Sequence, residues 1–78
     1  MASTEEFENK CMDIIEKIVS IDIKQDRKGA IAVAEKMLAK AKEKTTNAEV
    51  ISIYERVVKE FNIATDAEYV LLRKQIFS

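Results

Sequence analysis

The sequence contains no histidine and a single cysteine, Cys11. Histidine and cysteine are the usual ligands of zinc and of most transition metals, so this composition argues against such a metal site. Histidine is also the side chain that most often acts as a general acid or base near neutral pH. A lone cysteine forms no disulfide within the chain, and without histidine it has no partner to activate it as a nucleophile. We therefore expect a protein that is not an enzyme and that holds no metal and no cofactor.

Residues that interrupt helices are almost missing: the chain of 78 residues has no proline and one glycine, Gly29. A glycine-rich phosphate-binding loop needs several glycines, so this class of nucleotide site is excluded. No apolar run approaches the ~20 residues that a membrane span requires. The start of the sequence lacks the basic and apolar segments of a signal peptide. The sequence therefore predicts a cytoplasmic protein with no part in the membrane.

Charged residues are abundant but balanced, with 13 Lys and Arg against 14 Asp and Glu and a net charge of −1. This balance argues against a simple polyanion binder and against an acidic disordered tail. A chain of this length forms one domain and buries only about 60–65% of the surface that its unfolded form exposes. We therefore expect a thin core that relies on well-placed helices, on oligomerisation or on both.

The spacing of apolar residues indicates helices. A hydroxyl residue followed three positions later by glutamate predicts a capping box, in which each side chain bonds the other residue's backbone N–H. This spacing occurs three times before apolar periodic runs, at Ser3 and Glu6, at Thr46 and Glu49, and at Thr65 and Glu68. Together with the 3.6-residue periodicity, the pattern predicts helices over approximately residues 4–20, 26–44, 47–61 and 66–77. The sequence therefore predicts an all-α fold, a small three- to four-helix bundle with short connections.

Two helix ends are less clearly marked. Residues 20–25 are compatible with a loop, an extended stretch or a kinked continuation of the first helix, and either Asp22 or Asp26 is suited to cap the second helix. Asn62 is suited to a left-handed cap at the end of the third helix. Cys11 falls in the apolar seam of the first helix, which predicts a small buried side chain and not a reactive thiol.

The first and fourth helices carry more apolar surface than a small core needs. Met12, Val19 and Ile23 form a second stripe beside the main seam of the first helix, and Leu71 points almost opposite Tyr69 on the fourth. Either the first helix touches neighbours on both sides, or part of this surface contacts another molecule. We favour the second interpretation, because exposed apolar patches on small proteins tend to be interaction sites.

Arg73 lies within the apolar arc of the fourth helix. The favoured explanation is a pair with a carboxylate on a neighbouring helix, or a side chain that extends along the end of the bundle to water. The alternative is an anchor for a partner protein, because arginine is enriched at binding hot spots.

The segment 24–44 is basic, which is typical of nucleic-acid binding. At about 100° per residue, however, Lys36 and Lys40 border one side of the apolar seam, while Lys28 and Lys42 border the other. Lysines divided in this way cover the core with their alkyl stems and do not gather on one exposed face.

The leading hypothesis is a small non-catalytic protein-interaction module: an adaptor, a regulatory subunit or an inhibitor of a larger protein. It would act by packing helix faces and would self-associate into a homo-oligomer. The candidate contact residues are Met12, Val19, Ile23, Leu71 and Arg73. The alternative is a nucleic-acid-associated regulator that uses Lys36 and Lys40. A ligand pocket between helices, beside Tyr54 or Tyr69, is a third hypothesis.

Overall fold

A computed structural model describes residues 4–22 and 26–77 of the chain. The described residues form four α-helices and no β-strand, which confirms the all-α prediction. The helices are α1 (Thr4–Ile21), α2 (Arg27–Lys44), α3 (Ala48–Ile63) and α4 (Asp66–Phe77). The radius of gyration is 12.5 Å. This value is close to the roughly 11.5 Å of a compact domain of this length, so the helices fold back on one another.

Helix α3 is central and packs against both α1 and α2. Its buried face consists of Ile53, Val57 and Phe61, spaced at helical intervals of four residues. On α2 the buried residues are Ala30 and Ala34, whose small side chains allow close approach to α3. The complete buried apolar set is Cys11, Ile15, Ile18, Val19, Ala30, Ala34, Ile53, Val57, Phe61 and Tyr69. At about 1.5–3 kcal/mol for each large side chain, this burial is the main stabilising term.

Asp26 caps α2. Its backbone is extended, and its carboxylate accepts a hydrogen bond of 2.6 Å from the Gly29 N–H. Because α1 ends at Ile21 and Asp26 is not helical, no continuous helix joins α1 to α2. The rest of the uncertain connection, residues 23–25, lies outside the described residues, as does Ser3 with its expected capping box.

Asn47 caps α3, so the expected capping box of Thr46 and Glu49 is wrong. The Asn47 side-chain oxygen accepts hydrogen bonds of 2.9 and 3.4 Å from the N–H groups of Glu49 and Val50. The Thr45 hydroxyl accepts a bond of 3.0 Å from the Asn47 N–H and fixes that residue in place. Asn and Thr are both good N-caps, and here the asparagine one residue later takes the role.

The prediction for the end of α3 is wrong, whereas the prediction for the start of α4 is confirmed. The expected cap at Asn62 is wrong, because the helix continues to Ile63 and the Asn62 amide donates to the Val58 carbonyl within it. The capping box of α4 is confirmed: Thr65 N–H donates to the Glu68 carboxylate at 2.9 Å, and Glu68 N–H donates to the Thr65 hydroxyl at 3.1 Å.

Helix α4 is tied to the rest of the bundle at its first turn. The Arg27 guanidinium donates to the Asp66 carboxylate at 2.9 Å and to the Phe61 carbonyl at 3.4 Å. The rings of Phe61 and Tyr69 pack edge to face, with centroids 5.9 Å apart. These contacts hold the first turn of α4 against the start of α2 and the end of α3.

Candidate protein-interaction groove

A buried polar cluster joins the end of α1 to α4. The Asp22 side chain accepts a hydrogen bond of 2.7 Å from the Tyr69 hydroxyl. Arg73 lies 3.9 Å from the same carboxylate and donates to the Val19 carbonyl at 3.1 Å. Within residues 4–22 and 26–77, no buried side-chain polar atom lacks a hydrogen-bond partner. The cluster therefore holds a buried carboxylate whose charge is compensated.

Gly29, the single glycine, faces this cluster. A Cβ atom at residue 29 would lie 2.5 Å from Asp22 Oδ1 and 3.0 Å from Asp26 Oδ1. The first distance would force the Asp22 carboxylate to move, and the second would displace the Asp26 carboxylate by a few tenths of an ångström, so glycine suits the close approach of α2 to the two carboxylates. Sequence reasoning assigned no role to Gly29 or to a buried Asp22. One signal in the sequence could have indicated this contact: the chain's single glycine falls in the first turn of a helix.

Tyr69 acts in the cluster as a hydrogen-bond donor. Burial, followed by the hydrogen bond to Asp22, raises the pKa of Tyr69 to about 12 against the opposing effect of Arg73. The phenol therefore keeps its proton at neutral pH. This environment suits a structural role and not proton exchange with a substrate.

Arg73 makes the intramolecular pair with a carboxylate that was the favoured expectation. Its guanidinium also lies over the Phe77 ring, 5.2 Å from the centroid. Only 16% of the side chain is exposed, so little of it is available to anchor a partner.

Two adjoining cavities form an apolar groove between α1, α3 and α4. One, of about 220 Å³, is lined by Phe7, Glu8, Cys11, Met12, Ile15, Arg56 and Glu60. The other, of about 210 Å³, is lined by Met12, Ile15, Glu60, Phe61, Ala64, Glu68, Tyr69 and Leu72. Because Met12, Ile15 and Glu60 line both, the cavities are neighbours on one surface. We call this surface the Met12 groove.

The predicted contact residues fall in different places. Met12 is 45% exposed and lies in the groove, and Leu71 is 59% exposed on the outer face of α4. Val19 is completely buried in the core, which corrects the expectation that it extends an exposed stripe. Its backbone lies against α4, where Arg73 bonds its carbonyl. Ile23 lies outside the described residues.

Cys11 lines the groove but is not suited to covalent chemistry. Its thiol is buried and lies 4.0 Å from the Ile53 carbonyl, at the limit of a weak S–H hydrogen bond. Burial raises the pKa of the Cys11 thiol despite the nearby Arg56. A protonated thiol is a poor nucleophile, so the side chain contributes packing.

The groove has acidic edges. Glu8, Glu60 and Glu68 line it on three different helices. Arg56 is the one cationic side chain among the described residues that line it, and its guanidinium bonds Glu60 at 2.7 Å. An apolar floor with charged edges is the usual anatomy of a protein-binding surface.

The residues of the other hypotheses are divided between the groove and other surfaces. Tyr69 lines the groove and also a second cavity, of about 330 Å³, which lies within the size range of small-molecule sites and is lined by Asp26, Arg27, Lys28, Asp66, Tyr69 and Val70. Lys36 and Lys40 are exposed on α2, and Lys40 contributes with Tyr54 to a cavity of about 190 Å³ between α2 and α3. That volume is below the roughly 300 Å³ at which small-molecule sites usually begin. Among the described residues, no group of His, Cys, Asp and Glu side chains is placed to hold a metal ion. None of the described helices is long and apolar enough to cross a membrane.

The fold and the groove define a small all-α bundle with an apolar groove on its surface. Comparison with known proteins gives no further classification: no family, no curated protein and no solved structure is significantly similar to this chain.

Proposed function

We propose that the protein is a small non-catalytic interaction module, an adaptor or regulatory subunit, that binds a helix of another protein in the Met12 groove. The observation that carries this proposal is the adjacency of two apolar cavities that share the half-exposed Met12 in their lining. Grooves of this kind receive amphipathic helices, whose apolar residues at i, i+3, i+4 and i+7 enter the cleft. A cytoplasmic location, as expected from the sequence, is part of the same proposal.

A peptide tests the proposal directly. The probe is a synthetic amphipathic helix with a leucine face and an uncharged glutamine rim, titrated into the protein by calorimetry. Met12→Asn should weaken binding by about three- to tenfold, because the exposed 45% of the methionine is buried on binding and contributes about half of the roughly 1.5–3 kcal/mol of a whole side chain. Ile21→Asn is the matched control, since Ile21 is 47% exposed, against 45% for Met12, and does not line the groove. Equal affinities of the wild type and Met12→Asn would contradict the proposal.

Self-association is the second part of the proposal, and it uses the outer face of α4. Val70, Leu71 and Phe77 are each about half exposed there, at 48, 59 and 58%. Asp66 and Lys74 stand at opposite ends of the same face at helical spacing. Two copies of α4 packed antiparallel about a two-fold axis would bring each aspartate near the partner's lysine.

The nucleic-acid hypothesis keeps one supporting observation, the exposure of Lys36 and Lys40 one turn apart on α2. Glu35 and Glu43 are exposed on the same helix and oppose phosphate binding. Titration of duplex DNA across a salt series tests this candidate. Replacement of both lysines by glutamine should reduce the salt slope by about two if both contact phosphates. Absence of binding at low salt would exclude it.

A further inference from the structure

We infer that the helix bound by the Met12 groove is cationic, with lysine or arginine residues on both sides of its apolar face. The inference rests on the proposed function, because it assumes that the groove binds a helix. It adds the charge of the partner, which follows from the distribution of acidic side chains around the cleft.

The residues that line the groove give it a negative edge. Three glutamates, Glu8, Glu60 and Glu68, contribute to the lining from α1, α3 and α4. The opposing charge of Arg56 is engaged by Glu60, with Nε 2.7 Å from Oε1. The carboxylates of Glu8 and Glu68 are not matched by a cationic side chain of the lining, so the lining carries a net negative charge.

The rest of α1 adds to this asymmetry. At about 100° per residue, the exposed residues Glu5 and Glu16 project within about 40° of Met12. The lysines of α1, Lys10 and Lys17, project more than about 130° from Met12. Three of the five acidic side chains of α1, those of Glu5, Glu8 and Glu16, therefore project on the same side as Met12, whereas both lysines project away from it.

One of these carboxylates, that of Glu68, is also held in place by hydrogen bonding. Hydrogen bonds from the Thr65 backbone N–H, and then the interaction with its hydroxyl, lower the pKa of Glu68. The same capping box holds Glu68 at the start of α4, beside the groove. A lysine on a bound helix would pair with the Glu68 carboxylate. Because the capping box already holds the Glu68 side chain, little conformational entropy of that side chain would be lost on binding.

The same charges disfavour other occupants. Nucleic acids and anionic lipid surfaces both carry negative phosphates, which glutamates at the edge would repel. A helix with acidic flanks would suffer like-charge contacts at an interface, which reduce affinity and serve to reject wrong partners. A cationic amphipathic helix satisfies both the apolar floor and the acidic edge.

Three synthetic helical peptides with one shared leucine face test the inference. Their rims carry lysine, glutamine or glutamate, and calorimetry gives the affinity of each at low and at high salt. At low salt the lysine peptide should bind at least about tenfold more tightly than the glutamate peptide, as expected for several weak exposed ion pairs. High salt should reduce this ratio, because it screens exposed charges.

Variants of the protein show which carboxylates cause the preference for the lysine peptide. Glu5→Gln combined with Glu8→Gln should lower the preference for lysine over glutamate severalfold, whereas Glu35→Gln on α2 should leave it unchanged. Equal affinity for the three peptides at low salt would overturn the inference and leave the proposed function in place. A lysine peptide that binds Met12→Asn as tightly as the wild type would overturn it too, because the contact would then lie outside the groove. No binding of any peptide would overturn the proposed function itself.

Discussion

Gly29 shows how one residue controls the approach of two helices. Replacement of a helical glycine by alanine ordinarily stabilises a helix by about 1 kcal/mol. At residue 29 the added Cβ would meet the Asp22 carboxylate at 2.5 Å, and movement of that carboxylate would disturb its bond from Tyr69. We therefore expect Gly29→Ala to lower the free energy of unfolding by about 1–3 kcal/mol, as overpacking does.

Urea unfolding measures the effect of Gly29→Ala. The reciprocal change at an exposed position of the same helix, Ala32→Gly, is the control and should cost about 1 kcal/mol from helix propensity alone. A Gly29→Ala protein more stable than the wild type would show that the close contact with Asp22 does not exist in solution.

The Tyr69 hydroxyl should leave a pH-dependent signature. Tyr69→Phe removes the 2.7 Å bond to the buried Asp22 and should cost about 1–3 kcal/mol near neutral pH. The pKa of Tyr69 rises from 10.0 to about 12 on folding, so the folded state holds the phenolic proton more tightly. The stability difference between the two proteins should be constant below pH 10 and should shrink as the pH rises towards 12.

Denaturant unfolding of both proteins across this alkaline range provides the measurement. A difference that is independent of pH up to 12 would contradict the structural role given to Tyr69. The sequence could not have predicted this contact. Tyr69 and Asp22 are 47 positions apart, and their pairing depends on how α4 packs against the end of α1.

Among the elements, the helices and the start of α4 were predictable, whereas the two ends of α3 were not. The apolar periodicity located all four segments because each buries one face. The start of α3 was misassigned because Thr46 and Asn47 are adjacent and both can act as N-caps. Asn62 was misassigned because its amide bonds the preceding turn and lets the helix continue to Ile63.

The cap of α3 allows a sharp comparison of neighbouring residues. Asn47→Ala should cost about 1 kcal/mol, because its oxygen accepts from two backbone N–H groups of the first turn. Thr46→Ala should change the stability by less than about 0.5 kcal/mol, as expected of a surface substitution. Thermal unfolding of both variants measures the two effects. A larger loss of stability for Thr46→Ala than for Asn47→Ala would contradict the assignment of Asn47 and identify Thr46 as the cap.

At the scale of the whole molecule, the groove depends on a packing arrangement that periodicity does not specify. Met12 and Val19 project in nearly the same direction from α1, so the sequence placed both on one surface stripe. Val19 is completely buried and its carbonyl accepts a bond from Arg73 of α4, whereas Met12, two turns earlier on α1, remains 45% exposed. The position of α4 beside the cleft is held by the bonds of Arg27, Tyr69 and Arg73.

The outer face of α4 gives a prediction for the assembly state. If two copies pair through this face, sedimentation should show a mass that rises with concentration from one chain towards two. Leu71→Glu should keep the protein monomeric, because it places a charge in the centre of the apolar contact. The same change at another exposed position, Ala39→Glu on α2, should leave the association intact. A wild-type protein that stays monomeric at high concentration would remove this part of the proposal.

The central claim is that the Met12 groove is a binding surface for a helix. Amide chemical-shift mapping with isotope-labelled protein and the glutamine-rim peptide tests it most directly, because each residue reports separately. We predict that the largest shifts cluster at Met12, Ile15 and Leu72, on the two sides of the cleft. Shifts confined to α2 around Lys36 and Lys40, or no shifts at saturating peptide, would contradict the claim.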